Sequence, residues 1–339
     1  HYLHHARRLP WRAPPGRPAP DPYRVWLSEV MLQQTTVAAV TPRFERFVAN
    51  WPTIKALGQA SDEAILAEWA GLGYYARARN LIACARQVAA DGGFPTTEAQ
   101  LRRLPGIGDY TAAAIAAIAF GQDAAAIDTN VTRVVARLHG LEQPRPSEIR
   151  SLTEAMLPAG QAGDFAQAMM DLGAAICRPR APDCPACPLR PDCAAFDSGT
   201  PEAFPAPKAK RVRPQRHGIA HWIERDGAVW LVRRPAKGLL GGMAALPGPD
   251  WTDRPVPLPA PPLACIRHVF THFALDLSVL PANGADGDGW WHPIDRLDQA
   301  GLPTLYRHAA RQVLARSVER RAGKSDTPAR LLEDAPTPA

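Results

Sequence analysis

No stretch of this sequence approaches the roughly 18 consecutive apolar residues needed to cross a bilayer. Yet hydrophobic residues make up 46% of its 339 positions. The apolar content is therefore spread through packed globular structure, in a chain too long for one ordinary core and suited to two domains. No internal repeat and no secretory leader are visible, and the chain begins at His1 rather than methionine, so its natural start stays open. Cysteine is scarce: there are six, and four of them crowd into residues 177–193. That distribution argues against a disulfide framework and for an intracellular metal or cluster site. Charge of one sign is only mildly in excess. A formal +6 with a pI near 9.2 suits a polyanionic partner, and equally a soluble protein that happens to be basic.

The first 196 residues read as successive helices, with apolar residues at three- and four-residue spacing in LIACARQVAA and TAAAIAAIAF. Asp21-Pro22 caps and opens a helix predicted to run through PYRVWLSEVMLQQT. Ser61-Asp62-Glu63 opens another, which Gly71 and Gly73 close. Residues 197–216 are rich in proline and base and read as a surface linker. Residues 217–321 mix strand-like runs with a closing helix, LPTLYRHAARQVLARSVERR. HGIAHWIE and AVWLVRR are joined by the hairpin signature Arg225-Asp226-Gly227, and CIRHVFTHFALDLSVL supplies further strand. Residues 322–339 read as a flexible polar tail.

Cys177, Cys184, Cys187 and Cys193 have the spacing C-x6-C-x2-C-x5-C. Four soft thiolates in a proline-rich loop can hold zinc or an iron–sulfur cluster, and ligand chemistry alone puts zinc slightly ahead. Arg178, Arg180 and Arg190 would give that loop an outward cationic face for a phosphate backbone, unless they are simply solvated. Cys84 and Cys265 stand alone as candidate buried small hydrophobes. In LPGIGDYT, Gly106 and Gly108 allow a tight turn that leaves amides uncovered at a helix start. This is either a phosphate site that ignores base sequence or a plain helix connector. Asp109 places a negative charge there, while serving as a helix cap. Glu29 lies in the apolar helix VWLSEVMLQQ, where desolvation would raise its pKa toward general-acid values, unless it emerges at a solvated edge. Asp128 precedes the helix NVTRVVARLHG and reads most plainly as an N-cap. Two carboxylates in different environments are nonetheless what glycosidic cleavage requires, one as acid and one to stabilise an oxocarbenium ion.

SEVMLQQT, GLGYYARARN, the LPGIG hairpin, DTNV and the four cysteines occur in the order seen in adenine DNA glycosylases of the MutY type, within the helix–hairpin–helix glycosylase superfamily. The resemblance covers residues 8–196 densely and the remainder more thinly. It implies a mainly α catalytic domain over 1–196 with a [4Fe-4S] cluster on Cys177, Cys184, Cys187 and Cys193, in place of zinc. It implies Glu29 as proton donor and activator of water, Asp128 as stabiliser of the sugar cation, and Tyr110 and Asn130 as their orienting neighbours. Leu9, Trp11, Arg12 and Gln167 match positions lining an adenine pocket. Gln34 and Tyr74 match residues that wedge into the base stack, as extrusion of a base requires. Tyr110 stands where endonuclease III-like relatives carry a nucleophilic lysine, so base removal without strand cleavage is implied. DTN replaces the family's more usual DGN.

RRPAKGLLGGMAALPG resembles the MutT-like, α+β Nudix domain with which this family inspects 8-oxoguanine. The carboxylate-rich Nudix helix is missing; residues 249–262 form a proline-rich loop, and nucleotide hydrolysis is not expected. Phe270-Thr271-His272 matches the recognition loop, with threonine where serine is more usual. The implied partner is double-stranded DNA carrying an 8-oxoguanine:adenine or guanine:adenine mispair, bound by a monomer in the cytoplasm at the nucleoid, with no membrane. Two alternatives remain: another superfamily glycosylase, acting on mismatched thymine or oxidised pyrimidine, and a non-enzymatic DNA-binding sensor bearing the cluster. Tyr110 and the second domain argue against the first, and retention of both Glu29 and Asp128 against the second.

Overall fold

A computed structural model describes residues 1–207, 212–235 and 238–322, with side chains to residue 317. The chain divides into two compact units, His1–Lys210 and Arg211–Ala339. The tail expected over 322–339 lies, beyond Ala322, outside the described residues.

The first unit is built from α1 (Tyr2–His5), α2 (Pro22–Leu32), α3 (Val37–Asn50), α4 (Ile54–Gln59), α5 (Asp62–Trp69) and α6 (Tyr75–Ala90). It continues with α7 (Glu98–Leu101), α8 (Asp109–Phe120), α9 (Thr129–Leu138), α10 (Pro146–Ala155), α11 (Ala162–Ala175) and α12 (Ala194–Asp197). The starts follow their caps. Asp21 accepts from the Tyr23 amide at 2.8 Å, and Ser61 accepts from that of Ala64 at 3.2 Å. Helix α2 stops at Leu32, short of the predicted Thr35, because Gln34 turns into the left-handed region at φ 56°. Helix α8 is apolar on all sides, so it is buried on all sides, with Ala112 through Ala117 at most 1% exposed. It is the central post against which α2, α7 and α11 lean.

Part of the expected linker is not free. Ala194–Asp197 is helical, and the segment after it docks on the first unit. Phe204 O accepts from Arg137 Nε at 3.0 Å, and the Ala206 amide donates to Glu142 O at 2.7 Å. Arg137 is only 3% exposed, and its other nitrogens donate to Arg178 O at 2.7 Å and Pro179 O at 3.1 Å. One buried guanidinium thus holds both the cysteine loop and the chain leaving it.

The second unit contains β1 (Gln215–Trp222), β2 (Glu224–Arg225), β3 (Ala228–Arg233), β4 (Ala244–Ala245), β5 (Ala264–Val269), β6 (Ala274–Pro281), β7 (Gly289–Pro293) and α13 (Thr304–Ala322). Asp226 and Gly227, at φ 51° and 75°, make the predicted hairpin turn between β2 and β3. β1, however, pairs in parallel with β6, which pairs antiparallel with β5, while β3 binds β4 and β7. Leu231, Ile266, Leu277 and Leu305 meet in the core between the sheets and α13. Residues 249–262 carry no helix; their Thr252 is bridged to His217 on β1. Cys84 is buried as expected, whereas Cys265 is exposed because its strand position faces outward.

Replacing Arg137 with leucine would take the charged donor from three part-buried carbonyls, each bond contributing at most about 1.5–3 kcal/mol. We expect a lower melting temperature and faster proteolysis within 198–207 than elsewhere in the first unit. Unchanged cleavage there would show that the segment is held by other contacts.

Candidate active site

A cleft of about 880 Å³ opens in the first unit, and most of the residues singled out from sequence line it: Leu9, Trp11, Arg12, Glu29, Gln34, Gly106, Gly108, Tyr110, Asp128, Asn130 and Gln167. Elements far apart in sequence supply them. The N-terminal segment and α2 form one wall, the hairpin before α8 a second, and α9 with α11 a third.

Glu29 is 6% exposed on the inner face of α2. Burial pushes its carboxyl pKa up, opposed by the Tyr110 hydrogen bond and the Arg12 charge and reinforced by the Asp128 charge. Tyr110 on α8 donates its hydroxyl to Glu29 Oε2 at 2.7 Å. Burial and the same carboxylate hold the phenol well above its ordinary pKa, so it remains a donor.

Asp128 caps α9, as its plain reading had it, but the cap leaves it in the cleft. Its Oδ1 accepts from the Val131 amide at 2.7 Å and its Oδ2 from Asn130 Nδ2 at 2.8 Å, an arrangement suited to an anion. Asn130 is itself held, because its Oδ1 accepts from Arg133 Nη2 at 2.8 Å. Arg133 also donates to Gly173 O at 2.7 Å and, through Nε, to Cys177 O at 2.8 Å. Helix α11 comes this close because residue 173 is glycine: a Cβ there would lie 2.6 Å from Asn130 Cβ.

Sequence reasoning missed two residues that shape the site, Arg7 in the cleft wall and Asp171 behind it. Asp171 accepts from Arg12 Nη1 at 2.8 Å and from Arg7 Nε at 2.6 Å, tying the N-terminal segment to α11. The available signal was the one that flagged Glu29, an acid inside the apolar run AMMDLGAA. Gln167, 5% exposed, donates from Nε2 to Gly163 O at 3.2 Å. Among the described residues its buried Oε1 has no donor.

At the cleft mouth Gly106 takes φ 74°, and a Cβ would lie 2.6 Å from Asn80 Cβ on α6, so the turn needs glycine twice over. Helix α8 starts from Gly108 with no side-chain cap, leaving its first amides for a ligand. Asp109 is the first helical residue rather than the cap, and Arg102 neutralises it at 2.7 Å, so its charge need not repel a phosphate. Gln34 is exposed at the rim. Tyr74, 47% exposed, does not line the cleft but stands on the turn before α6. In the second unit Phe270, Thr271 and His272 form the turn joining β5 to β6. Phe270 stacks on Trp251 at 5.7 Å, while Thr271 and His272 are exposed.

The four clustered thiols line one small pocket walled by Ile176, Pro182, Phe196 and Pro201. Burial and the neighbouring thiols raise Cys184 and Cys187. Among the described residues no three metal-ligating side chains converge as one ion would require. Arg178 and Arg190 are partly spent within the loop, the first on Ala175 O and Ala181 O and the second over the Phe196 ring.

Residues 27–159 match the family model of HhH-GPD superfamily base excision DNA repair proteins, and residues 218–312 that of the NUDIX domain. An adenine DNA glycosylase of Homo sapiens is 36% identical over 311 residues, covering 74% of this chain and 56% of the human protein. The chain thus spans little more than half of that relative's length. An adenine DNA glycosylase of Mus musculus is 31% identical, covering 91% of this chain and 76% of the relative. Among solved structures, a thermostable thymine-DNA glycosylase is 31% identical with a TM-score of 0.52, covering 57% of this chain and 89% of its own.

A carboxyl that binds its proton more tightly in the folded than in the unfolded chain stabilises at low pH and loses that contribution as pH rises through its folded-state pKa. Glu29→Gln removes the ionisation while keeping the shape, so its melting temperature should gain on the parent's as pH rises from the ordinary carboxyl range into the alkaline. Thermal melts across that range check this; parallel curves would mean Glu29 is not held protonated.

Proposed function

The chain belongs to the adenine DNA glycosylase family of helix–hairpin–helix base excision repair proteins, and from that premise we propose that it hydrolyses the N-glycosidic bond of adenine mispaired with 8-oxoguanine or guanine. The observation that carries this reading is the meeting, in one cleft, of a buried carboxyl held by Tyr110 with a second carboxylate fixed by two N–H donors. Glu29 gives its proton to a ring nitrogen of the extruded adenine, which leaves with the electrons of the bond to the sugar. Asp128 offsets the positive charge that develops on the sugar. Glu29, now a carboxylate, takes a proton from water as the water oxygen bonds to the anomeric carbon. Tyr110 cannot form a Schiff base, so the strand stays intact.

Adenine is favoured over thymine by Gln167. Its buried, undonated Oε1 suits an exocyclic amine and would oppose a carbonyl. The Gly106–Gly108 turn and the open amides of α8 suit a phosphate of the DNA backbone, and Gln34 and Tyr74 the stack from which the base is drawn. We assign the turn Phe270-Thr271-His272 to inspection of the base opposite adenine, for which a hydroxyl and an imidazole can answer the extra carbonyl and N–H of 8-oxoguanine. Cys177, Cys184, Cys187 and Cys193 would hold a [4Fe-4S] cluster; four thiols lining one small pocket are the donor set such a cluster takes. Bound there, the cluster supplies a covalent staple for the loop.

Two outcomes are expected. Single-turnover assays on a duplex with adenine opposite 8-oxoguanine should show adenine release by the parent and a loss of about 100-fold or more in Asp128→Asn, with duplex binding kept. No release by the parent would overturn the proposal. Metal analysis should find about four irons per chain, lost when the four cysteines are replaced; one zinc and no iron would refute the cluster.

A further inference from the structure

Two non-glycine residues beside the cleft adopt left-handed backbone, Gln34 at φ 56° and Tyr74 at φ 48°. Such conformations persist only where surrounding structure over-determines them. For Gln34 the local sequence supplies no reason: VMLQQT contains no helix breaker, yet α2 ends at Leu32. The same side chain reaches both turns. Arg77, in the first turn of α6, donates from Nη1 to Val30 O at 2.9 Å and Met31 O at 3.0 Å, carbonyls that the end of α2 leaves unpaired. Its Nη2 donates to Thr35 Oγ1 at 3.1 Å, next to Gln34, and to Leu72 O at 3.2 Å, in the turn carrying Tyr74. The guanidinium also lies 5.3 Å from the Trp69 ring centre and 5.4 Å from that of Tyr74. Trp69 completes the link by donating Nε1 to Gly73 O at 3.0 Å.

We propose that Arg77 is a positioning residue that locks the turns bearing Gln34 and Tyr74 into one rigid rim, against which the target base is drawn out of the duplex. The proposal rests on the function proposed above for its last clause; the coupling of the two turns stands on the geometry alone. Lysine cannot replace Arg77, because an ammonium does not span four carbonyl and hydroxyl acceptors while stacking on two rings. A neighbouring consequence concerns α2, which carries Glu29 immediately before Val30: loosening its last turn loosens the acid as well.

Two measurements separate the coupling from its use. Amide hydrogen exchange of the free protein should speed up together at Gln34–Thr35 and at Gly73–Tyr74 in Arg77→Lys, by about tenfold or more. Base extrusion is read in a Glu29→Gln background from 2-aminopurine emission next to the adenine opposite 8-oxoguanine. Arg77→Lys should cut that rise several-fold while the dissociation constant changes little. Should Arg77→Lys fail to fold, Thr35→Val, which removes the Arg77 bond together with the Thr35 bond to Gln33 O, should speed exchange in both turns by about fivefold. Exchange that rises in one turn only, or in neither, overturns the coupling. Coupled exchange with unaltered emission overturns the role in extrusion. An absent emission rise in the Glu29→Gln parent tells against the proposed function itself, leaving the coupling to be judged by exchange.

Discussion

Keeping a carboxyl group out of water inside an apolar helix is the constraint around which the first unit is arranged. An unpaired buried carboxylate is costly enough that the group holds its proton instead. Glu29 therefore needs a donor that will not itself ionise, and Tyr110 is such a donor only because α8 buries it. That in turn requires α8 to be small and apolar all round, so that α2 and α11 can approach it closely. An acid of raised pKa at the cleft wall is thus a product of helix packing.

Charge of the opposite sign is used to fasten remote segments to that frame. Arg12 and Arg7 converge on Asp171, Arg133 reaches from Asn130 to the carbonyl of Cys177, and Arg137 ties the cysteine loop to the chain beyond it. Arg133 and Arg137 use their forks of donors to satisfy several acceptors at once, which a lysine could not. The carboxylate of Asp128 and the thiol loop consequently share one hydrogen-bonded scaffold along α9. Disorder in the loop would be felt at Asn130.

The second unit keeps a Nudix-like sheet arrangement without the carboxylate-rich helix. The loop in its place sets Trp251 against the sheet: a Cβ at Gly218 would lie 2.5 Å from the Trp251 ring. Trp251 then stacks under Phe270, so the stretch that lost its acids buttresses the β5–β6 turn whose tip exposes Thr271 and His272.

Local chemistry was legible in the sequence wherever it depended on neighbours along the chain. The caps at Asp21, Ser61 and Asp128, the Asp226-Gly227 turn and the crowding of four cysteines are all of that kind, because their partners lie within a few residues. Helix periodicity also marked Glu29 as an acid on an apolar face. What stayed hidden depended on residues distant in sequence. The carbonyls at the early end of α2 find their donor in Arg77, more than forty positions away. The harmlessness of Asp109 is decided by Arg102, and the docking of residues 198–206 by Arg137. The pairing of β1 with β6, more than fifty positions on, is likewise a long-range contact. A sequence states which groups need partners; only the folded chain, through the close approaches that packing allows, decides which partners they find.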